Sequence, residues 1–340
     1  MDKLYSSFGK TLYTSSDYGQ TWDAISINSN LDIVYLSLAN KNYFIFRSDS
    51  GVIEGHSYNS MFGYQSIVSE NDVLLCTNRV GSKIVIAGHD GNNVYTRVSL
   101  NEGLSYHGNS NFPVGILSLV PNGGTSSAIF WNGTKYVVLG PLQDGAFNTL
   151  TSPDGFVWTH QTAATPLDFR NVYSGFVYNS NVYYLNKVNG DSTSQVRLNH
   201  FNGVSAWTTL PNIVYGTGAD NLDNIYSATN GTSSILMSVR DSSTGNYRLL
   251  RSTNGGTSWT TIIDYTAGSN PHYISSILRV NSNYVLEKVY TTSNTQTYSV
   301  STNDGVTFTE YSEAINKGLP VVGPEDLGLF WKELILSTQS

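Results

Sequence analysis

The sequence predicts an all-β fold, and three features of its 340 residues support that prediction: low charge, many strand-forming and turn-forming residues, and a recurring turn. Only 13% of the residues are charged, against about a quarter in a typical soluble domain. Tyr leads the aromatic residues with 23 copies and Gly contributes 31, so residues that build sheets and turns prevail over those that fill helix surfaces. An aromatic content of 12% also argues against disorder.

An eight-residue window recurs along the chain. Its clear copies begin with a hydroxyl residue, carry Asp or Asn at the third or fourth position and Gly at the fifth, and end in an aromatic residue. They are residues 15–22, 99–106, 151–158, 252–259 and 301–308. Two weaker copies are residues 57–64, where Met61 replaces the glycine, and 199–207, where the aromatic residue is displaced by one position.

The spacing of these windows predicts the architecture. The fifth positions, from Gly19 through Met61 and Gly103 to Gly305, lie 42, 42, 52, 48, 53 and 49 residues apart. A β-propeller blade repeats every roughly 40 to 50 residues, and short β-prone runs divided by Gly and Asn separate the windows. We therefore predict a single domain over residues 1–340, a seven-bladed β-propeller of four-stranded blades, with six blades as the alternative.

The two ends of the chain are expected to complete one blade together. Residues 327–331 and 333–337 resemble the first two strands of a blade, and residues 10–15 and 22–27 resemble its last two. A ring closed by strands from both termini leaves no open sheet edge that could invite aggregation.

The window itself predicts a turn between two strands. Gly takes the positive φ that closes the turn, and Asp or Asn bonds nearby backbone N–H groups. The final aromatic residue starts the next strand and covers the turn. The predicted structural residues are Asp17, Gly19, Trp22, Asn101, Gly103, Asp154, Gly155, Trp158, Asn254, Gly256, Trp259, Asp304, Gly305 and Phe308.

The window resembles the Asp-box, also called the BNR repeat, of sialidases and related β-propellers. In that family the box lies between the third and fourth strands of a blade, at the outer edge and on the face away from the active site. The resemblance therefore implies that the carboxylate and amide side chains of the windows are scaffold groups rather than catalytic ones.

The sequence lacks the enzymatic signature of the sialidases, which carry an Arg-Ile-Pro or similar segment, an arginine triad and a Tyr–Glu pair. No Arg-Ile-Pro occurs here, and the first arginine is Arg47, already in the second repeat. Other glycosidases need two carboxyl groups about 5 to 10 Å apart. Asp168, Asp220, Asp223 and Asp264 lie near predicted connections between blades, where a role as turn or cap residues is the simpler interpretation. We therefore predict no enzymatic activity.

Other ligand classes are also disfavoured. The six histidines show no HxH or HExxH spacing, so no metal or other cofactor is expected, although a structural calcium ion at an Asp-rich turn stays an alternative. A net charge of −7 without a basic run argues against nucleic acid. The sequence has no apolar run long enough to insert into a membrane and no secretory signal at its start.

The composition, with little charge and much Tyr, Ser, Thr, Asn and Gly, looks like that of bacteriophage tail and fibre proteins. We predict a non-enzymatic virion component of a tail, fibre or capsid appendage, assembled in the host cytoplasm, that docks to other virion proteins or to a host surface glycan. The alternatives are a carbohydrate-active enzyme and an intracellular propeller scaffold. The candidate binding residues lie near the predicted connections between blades: His160, Arg170, Tyr215, His272 and Tyr273.

Overall fold

The structure is a computed structural model of the whole chain. It describes residues 3–8, 11–26, 33–39, 42–49, 52–59, 63–66, 73–80, 83–89, 94–101, 107–109, 129–141, 147–161, 172–188, 195–204, 207–211, 222–230, 233–241, 245–265, 272–280, 282–290, 295–315 and 321–323.

Every regular element in these ranges is a strand. The first fifteen are β1 (Lys3–Phe8), β2 (Thr11–Ser15), β3 (Asp23–Ser26), β4 (Ile33–Ala39), β5 (Asn42–Asp49), β6 (Val52–Asn59), β7 (Gly63–Ser66), β8 (Val73–Val80), β9 (Lys83–His89), β10 (Val94–Ser99), β11 (His107–Asn109), β12 (Ile129–Trp131), β13 (Tyr136–Pro141), β14 (Phe147–Ser152) and β15 (Thr159–Gln161). The others are β16 (Val172–Tyr178), β17 (Asn181–Val188), β18 (Gln195–Phe201), β19 (Thr208–Thr209), β20 (Leu222–Asn230), β21 (Ile235–Asp241), β22 (Tyr247–Ser252), β23 (Thr260–Tyr265), β24 (His272–Val280), β25 (Asn283–Tyr290), β26 (Thr295–Ser301), β27 (Thr309–Ile315) and β28 (Val321–Gly323).

The strands of the described residues form seven four-stranded antiparallel sheets. Six sheets contain four consecutive strands, in the orders β4–β7, β8–β11, β12–β15, β16–β19, β20–β23 and β24–β27. The remaining sheet has the order β28-β1-β2-β3. The all-β fold predicted from the composition is therefore confirmed.

The sheet that contains both ends of the chain differs from the prediction. One C-terminal strand, β28, pairs with β1, and three N-terminal strands complete the sheet. The additional strand is β1, which the sequence analysis missed because it precedes the first recurring window. Phe8 pairs with Thr11, so the connection from β1 to β2 has the two-residue length typical of a hairpin. The predicted strands at 327–331 and 333–337 lie outside the described residues.

Neighbouring sheets pack on each other in chain order. β8 contacts β12, β12 contacts β16, β16 contacts β20, β20 contacts β24, and β24 contacts β28. β28 and β1 in turn contact β4. The first strands of the sheets therefore lie next to each other, which is the arrangement of inner strands in a propeller.

Apolar side chains fill the spaces between sheets. In one cluster, Leu236 and Leu249 of the β20–β23 sheet pack on four residues of the next sheet, Ile274, Ile277, Tyr284 and Leu286, all of them buried. Another cluster joins the β16–β19 and β20–β23 sheets through buried residues that include Phe176, Tyr183 and Met237. Because each sheet buries its side chains against a neighbour, the apolar core is spread over the contacts between sheets.

Each four-stranded sheet has two ends at which its turns lie. In an antiparallel meander the turns alternate between opposite ends of the sheet. The turns from first to second strand and from third to fourth strand share one end, which we call the box face. The turns from second to third strand and the connections to the next sheet share the other end, which we call the connection face.

The recurring windows lie between the third and fourth strands and are closed by hydrogen bonds of their own. In the first window the Ser15 hydroxyl donates to Asp17 Oδ1 (2.7 Å) and accepts from the Gly19 N–H (2.7 Å). Asp17 Oδ1 also accepts from the Thr21 N–H (2.9 Å). The Trp22 indole N–H donates to the Gly19 carbonyl (3.1 Å), so the aromatic residue covers the turn.

Other windows repeat this pattern with local changes. In the sixth window Ser252, Asn254 and Gly256 make the equivalent bonds at 2.8 to 2.9 Å. In the fourth, Gly155 directly follows Asp154, so the hydroxyl comes from Ser152 rather than Thr151 and the turn is one residue shorter. In the third, Ser99 donates to Asn101 Oδ1 (2.9 Å), while Gly103 lies outside the described residues.

The last window assigns Asp304 a different role from the one predicted. Asn303 takes the position of Asp17, since it accepts from the Ser301 hydroxyl (2.9 Å) and from the Thr307 N–H (3.0 Å). Asp304 has a φ of 56° and its carboxylate contacts Arg251 Nη2 (3.0 Å). The sequence window accepted Asp at either the third or the fourth position, but in this window the third-position residue, Asn303, faces the turn. Asp304 instead links its window to the preceding sheet.

Each described window glycine packs against the preceding sheet. A Cβ atom on Gly19 would lie 2.7 Å from Cγ of Tyr298, which belongs to the β24–β27 sheet. The equivalent distances are 2.7 Å from Gly155 to Val85, 2.7 Å from Gly203 to Asn132, 2.5 Å from Gly256 to Leu198 and 2.9 Å from Gly305 to Leu236. All five glycines have φ between 80° and 90°. The glycine is therefore required both by the backbone and by the lack of space.

The preceding sheet also bonds the backbone next to the window glycine. The carbonyl immediately before the glycine accepts a side-chain hydrogen bond in three windows: Lys83 Nζ to Asp154 (3.3 Å), Asn132 Nδ2 to Asn202 (3.1 Å) and Arg251 Nε to Asp304 (2.9 Å). The same polar contact therefore recurs between three pairs of neighbouring sheets.

Substitution of Gly19 by alanine is expected to lower the free energy of unfolding by about 2–4 kcal/mol, because the new side chain meets the Tyr298 ring at an unfavourable φ. Chemical denaturation measures the change. Gly108→Ala is the matched control, since a Cβ there has nothing within 4 Å. Equal stability of the two variants would show that the window glycine is replaceable.

The charge of Asp304 is expected to make stability fall in acid. Burial raises the pKa of Asp304, but hydrogen bonds from Ser233 and Ser234 and the contact with Arg251 outweigh it, so the pKa lies below its ordinary value. A carboxyl group with a lowered folded-state pKa stabilises the protein above its unfolded-state pKa, and this contribution is lost as pH falls through the folded-state pKa.

Asp304→Asn should therefore cost about 1–2 kcal/mol of unfolding free energy at neutral pH, and the difference from the wild type should shrink between about pH 5 and about pH 2. Asn tolerates the left-handed backbone at this position. Denaturation at a series of pH values measures both effects, with Asp23→Asn on the exposed β3 strand as control. A difference that stays constant with pH would rule out a contribution from the charge.

Candidate functional site

A cluster of tyrosine rings and an ion pair lies where the β20–β23 sheet meets the β24–β27 sheet. We call it the seam cluster, and its members are Arg240, Tyr247, Tyr265, Tyr273, Lys288, Tyr290 and Glu310. Several members lie at strand ends on the connection face: β22 begins at Tyr247, β23 ends at Tyr265 and β25 ends at Tyr290. The cluster therefore lies beside the predicted connection between these two sheets.

Lys288 is a buried cation with an outward-facing partner. Its side chain is 3% exposed, and its ammonium group contacts Glu310 Oε2 at 2.7 Å. The ammonium nitrogen also lies 5.1 Å from the centre of the Tyr265 ring, across the boundary between the sheets. The carboxylate and the ring together compensate for the loss of water around the charge.

Glu310 is held by three groups but stays accessible. Besides Lys288, it accepts from the Tyr290 hydroxyl (3.2 Å) and from Thr297 Oγ1 (3.5 Å), both at Oε1. Its side chain is nevertheless 48% exposed. The carboxylate of Glu310 is therefore held in place at the surface.

The pair Arg248 and Asp264 has a similar arrangement on the other face of the preceding sheet. Arg248 is the strand partner of Val239, which packs toward the β16–β19 sheet, so this pair lies outside the seam cluster. Arg248 Nε contacts Asp264 Oδ2 at 3.1 Å, and the two side chains are 9% and 42% exposed. In both pairs the cation comes from an inner position of the sheet and the carboxylate from its last strand, β23 or β27. The accessible member of each pair is therefore the acid.

Tyrosine rings lie on the same side of the β20–β23 sheet as the Lys288–Glu310 pair. The rings of Tyr247 and Tyr273 have centroids 5.9 Å apart with an interplanar angle of 36°, and the guanidinium carbon of Arg240 lies 5.7 Å from the Tyr247 ring centre. Tyr247 is also the strand partner of Tyr265. All these tyrosines are partly exposed.

The hydroxyl groups of Tyr265 and Tyr273 have raised pKa values, which favours their neutral form. Burial, followed by the charge of Glu310 and the neighbouring Tyr290, raises the pKa of Tyr265 well above its ordinary value. Burial, with Glu287 and Tyr247, also raises the pKa of Tyr273. The hydroxyl groups therefore remain hydrogen-bond donors at physiological pH.

The predicted binding residues are distributed over different places. Tyr273 belongs to the seam cluster and His272 precedes it in β24. His160 is an exposed residue of β15, in another sheet. Arg170 and Tyr215 lie outside the described residues. Of the three that the structure describes, His272 and Tyr273 are consecutive residues of one strand and His160 lies in a different sheet.

The four aspartates considered as glycosidase candidates have different positions. Asp264 is a strand residue of β23 paired with Arg248, rather than a turn or cap residue. Asp223 lies in β20. Asp168 and Asp220 lie outside the described residues.

The sequence analysis missed Arg248, Lys288 and Glu310. One signal was present: Glu287 and Lys288 interrupt a strand that otherwise consists of Asn, Tyr, Val and Leu, and every residue from 284 to 289 in it is buried. Charged residues are almost never fully buried unless paired. A charged pair inside such an apolar run therefore predicts a partnered buried charge, but not which residue is the partner.

Exposed apolar residues mark the box face. The large hydrophobic residues that are exposed among the described parts of the chain are Leu100, Val157, Val204 and Val306, at 49% to 75% exposure. All four lie on turns between third and fourth strands. Single exposed apolar residues are ordinary, but their recurrence at the same turn of four sheets places them on one face.

The arrangement of the described residues also bears on metal binding and on membrane insertion. Within the described ranges, no group of three or more His, Cys, Asp and Glu side chains is placed to hold a metal ion. Among the same residues, the structure has no helix with the length and apolarity needed to cross a bilayer.

No protein-family model and no curated protein sequence matches this chain. Solved structures do. The BP39L lectin from Burkholderia pseudomallei is similar with a TM-score of 0.59 at 9% identity, over 92% of this chain and 94% of the lectin. The β-propeller domain of the Trilobed protease from Pyrococcus furiosus, described as having an open velcro topology, is similar with a TM-score of 0.55 at 11% identity, over 90% and 88% of the two chains. These similarities, together with the sheet arrangement, show that the chain is a β-propeller.

Proposed function

We propose that this protein is a non-enzymatic adhesion component of a bacteriophage virion, which binds a host surface glycan at the seam cluster and docks to other virion proteins through its box face. The observation that carries the glycan part is the placement of a half-exposed carboxylate, Glu310, beside tyrosine rings where two sheets meet. The virion part rests on the composition, which looks like that of tail and fibre proteins.

The chemistry of the seam cluster suits a sugar. Tyrosine combines an apolar ring, which packs on the C–H face of a sugar, with a polar hydroxyl. Carboxylates form charge-assisted hydrogen bonds that are stronger than those between neutral groups. Glu310 presents such an acceptor next to Tyr265 and Tyr290. The similarity in fold to a lectin of nearly the same length supports the same class of ligand.

The same cluster gives less support to glycoside hydrolysis. Hydrolysis by two carboxyl groups needs one of them protonated as a general acid, commonly in an apolar environment. Glu310 instead contacts a buried cation, Lys288. We therefore propose binding without turnover at this site.

The box face offers a surface for assembly. Its four exposed apolar residues recur at equivalent turns, so a partner that follows the rim would contact several sheets at once. Several weak contacts presented together strengthen binding without any single strong contact.

Glycan binding is tested on an array of bacterial surface polysaccharides with the purified full chain. We expect a bound glycan, and at least tenfold weaker binding, roughly 1.4 kcal/mol, for Tyr247→Ala and for Glu310→Gln. Val204→Ser on the box face is the matched control and should bind like the wild type. Equal binding by all variants, no binding by the wild type, or release of reducing ends during incubation would contradict the proposal.

Virion assembly is tested by mass spectrometry of purified phage particles. Peptides of this chain should be present, and a variant with Val157→Ser, Val204→Ser and Val306→Ser should be incorporated at least fivefold less than the wild type when each is supplied during assembly. Glu310→Gln serves as the control that leaves the box face intact. Particles without the chain would exclude the virion role, and unchanged incorporation of the triple variant would exclude the box face.

A further inference from the structure

We infer that the outer edge of β23 is a docking site for an extended, positively charged segment of another protein, which adds to the β20–β23 sheet as a fifth strand. The observation behind this inference is an accessible edge strand that lacks most of the features by which edge strands are protected. The partner is of a different kind from the glycan proposed above, and the inference does not depend on that proposal.

β23 is accessible along its whole length. It is the last strand of its sheet, and its strand neighbour among the described residues is β22. None of its six residues is buried: Thr260 and Asp264 are exposed and the other four are half-buried. An edge strand presents main-chain N–H and C=O groups to a further strand. The ligand that matches such groups is the main chain of an extended polypeptide.

β23 is also longer than most of the outer strands. The outer strands β3, β7, β11, β15 and β19 have two to four residues, whereas β23 has six. β27 has seven residues, but its pairing with β26 jumps from Tyr311 to Ile315. Short strands and irregular edges both hinder strand addition. β23 has one bulged residue, Ile262, and is otherwise in register with β22, so it offers the longest nearly regular edge among the described outer strands.

The composition of β23 favours a further strand. Its sequence is TTIIDY, and the first four residues are β-branched, which suits extended backbone. It contains no Lys, Arg or Pro, and Lys and Pro are residues with which natural edge strands prevent unwanted pairing. The edge of β23 is therefore a surface on which another strand can form.

The charge at this edge selects the kind of segment. Asp264 is the one charged residue of β23, and its side chain is 42% exposed. Arg248 is its strand partner on β22 and contacts Oδ2 at 3.1 Å. An added strand would place a second residue opposite Asp264, on the side away from β22, with Cβ atoms about 5 Å apart. Because opposite charges stabilise such cross-strand pairs, Lys or Arg is favoured at that position.

The same charge disfavours a second copy of this chain as the partner. A second β23 strand carries no cation that could lie opposite Asp264. Each copy also has a net charge of −7, which opposes the approach of two copies and attracts a basic segment. The edge is therefore assigned to a basic segment of a different protein.

The inference is tested with three fluorescent eight-residue peptides and the purified full chain. In the basic peptide, lysine and threonine alternate with valine. The acidic peptide has glutamate in place of lysine, and the third peptide keeps the lysines but has proline in place of two valines. Fluorescence polarisation at neutral pH and physiological salt measures each dissociation constant. We expect saturable binding of the basic peptide, at least fivefold weaker binding of the acidic peptide, and at least tenfold weaker binding of the proline peptide, because proline cannot donate to a strand ladder.

Two variants locate the site on β23. Thr260→Lys places a positive charge at the exposed start of β23 and should weaken binding of the basic peptide at least fivefold. Thr309→Lys is the matched control, since it adds the same charge at the exposed start of β27, and it should bind like the wild type. Thermal unfolding checks that both variants are folded.

A third variant isolates the contribution of charge. Asp264→Asn keeps an acceptor for Arg248 but removes the negative charge, so the dissociation constants of the basic and acidic peptides should come within threefold of each other. If this variant does not fold, the comparison of Thr260→Lys with Thr309→Lys decides.

Four results would overturn the inference. Equal binding of the basic and proline peptides would show attraction by charge without strand pairing, and equal binding of the acidic peptide would remove the preference for a basic segment. Equal effects of Thr260→Lys and Thr309→Lys, or no binding of any peptide, would exclude the edge of β23. A dimer in sedimentation experiments that Thr260→Lys dissociates would identify a second copy as the partner and would also contradict the inference.

Discussion

The structure depends on one repeated contact, in which the window glycine of a sheet packs against the sheet before it, as the described residues show for five sheets. Gly19 on Tyr298 and Gly305 on Leu236 show the two requirements, a positive φ and a distance that leaves no room for a Cβ. Because the carbonyl before the glycine is often bonded by the preceding sheet as well, the turn acts as a connector between sheets. A single sheet of four short strands buries too little surface to be stable alone, so these contacts hold the fold together.

This contact also sets the geometry of the seam cluster. Tyr265, on the last strand of one sheet, lies against Lys288 of the next only because the two sheets are fixed relative to each other. The ion pair between Asp304, in the window at 301–308, and Arg251, in the β20–β23 sheet, helps to hold the two sheets in this position. The window turns of the box face hold neighbouring sheets together, and the seam cluster on the connection face is where we propose that a ligand binds.

Much of the fold was predictable because its turns are local. The bonds among Ser15, Asp17 and Gly19 span only a few residues, so their residue types appear together in the sequence and recur with each sheet. The role of Asp304 was not predictable in the same way, since its partners Ser233 and Arg251 lie 71 and 53 residues away. The strand β1 was also missed, because it precedes the first window and carries no turn signal of its own.

The sequence alone determined the all-β class, the positions of the recurring turns and the absence of a sialidase signature, since composition and short-range spacing record these properties. The tertiary structure decided which charges are paired, which acids face outward and which tyrosines lie together. Lys288 and Glu310 are 22 residues apart, and Lys288 and Tyr265 belong to different sheets. The first pair meets when the β24–β27 sheet forms, and the second only after two sheets have packed. Both contacts depend on the folded arrangement of the backbone and leave no local pattern in the chain.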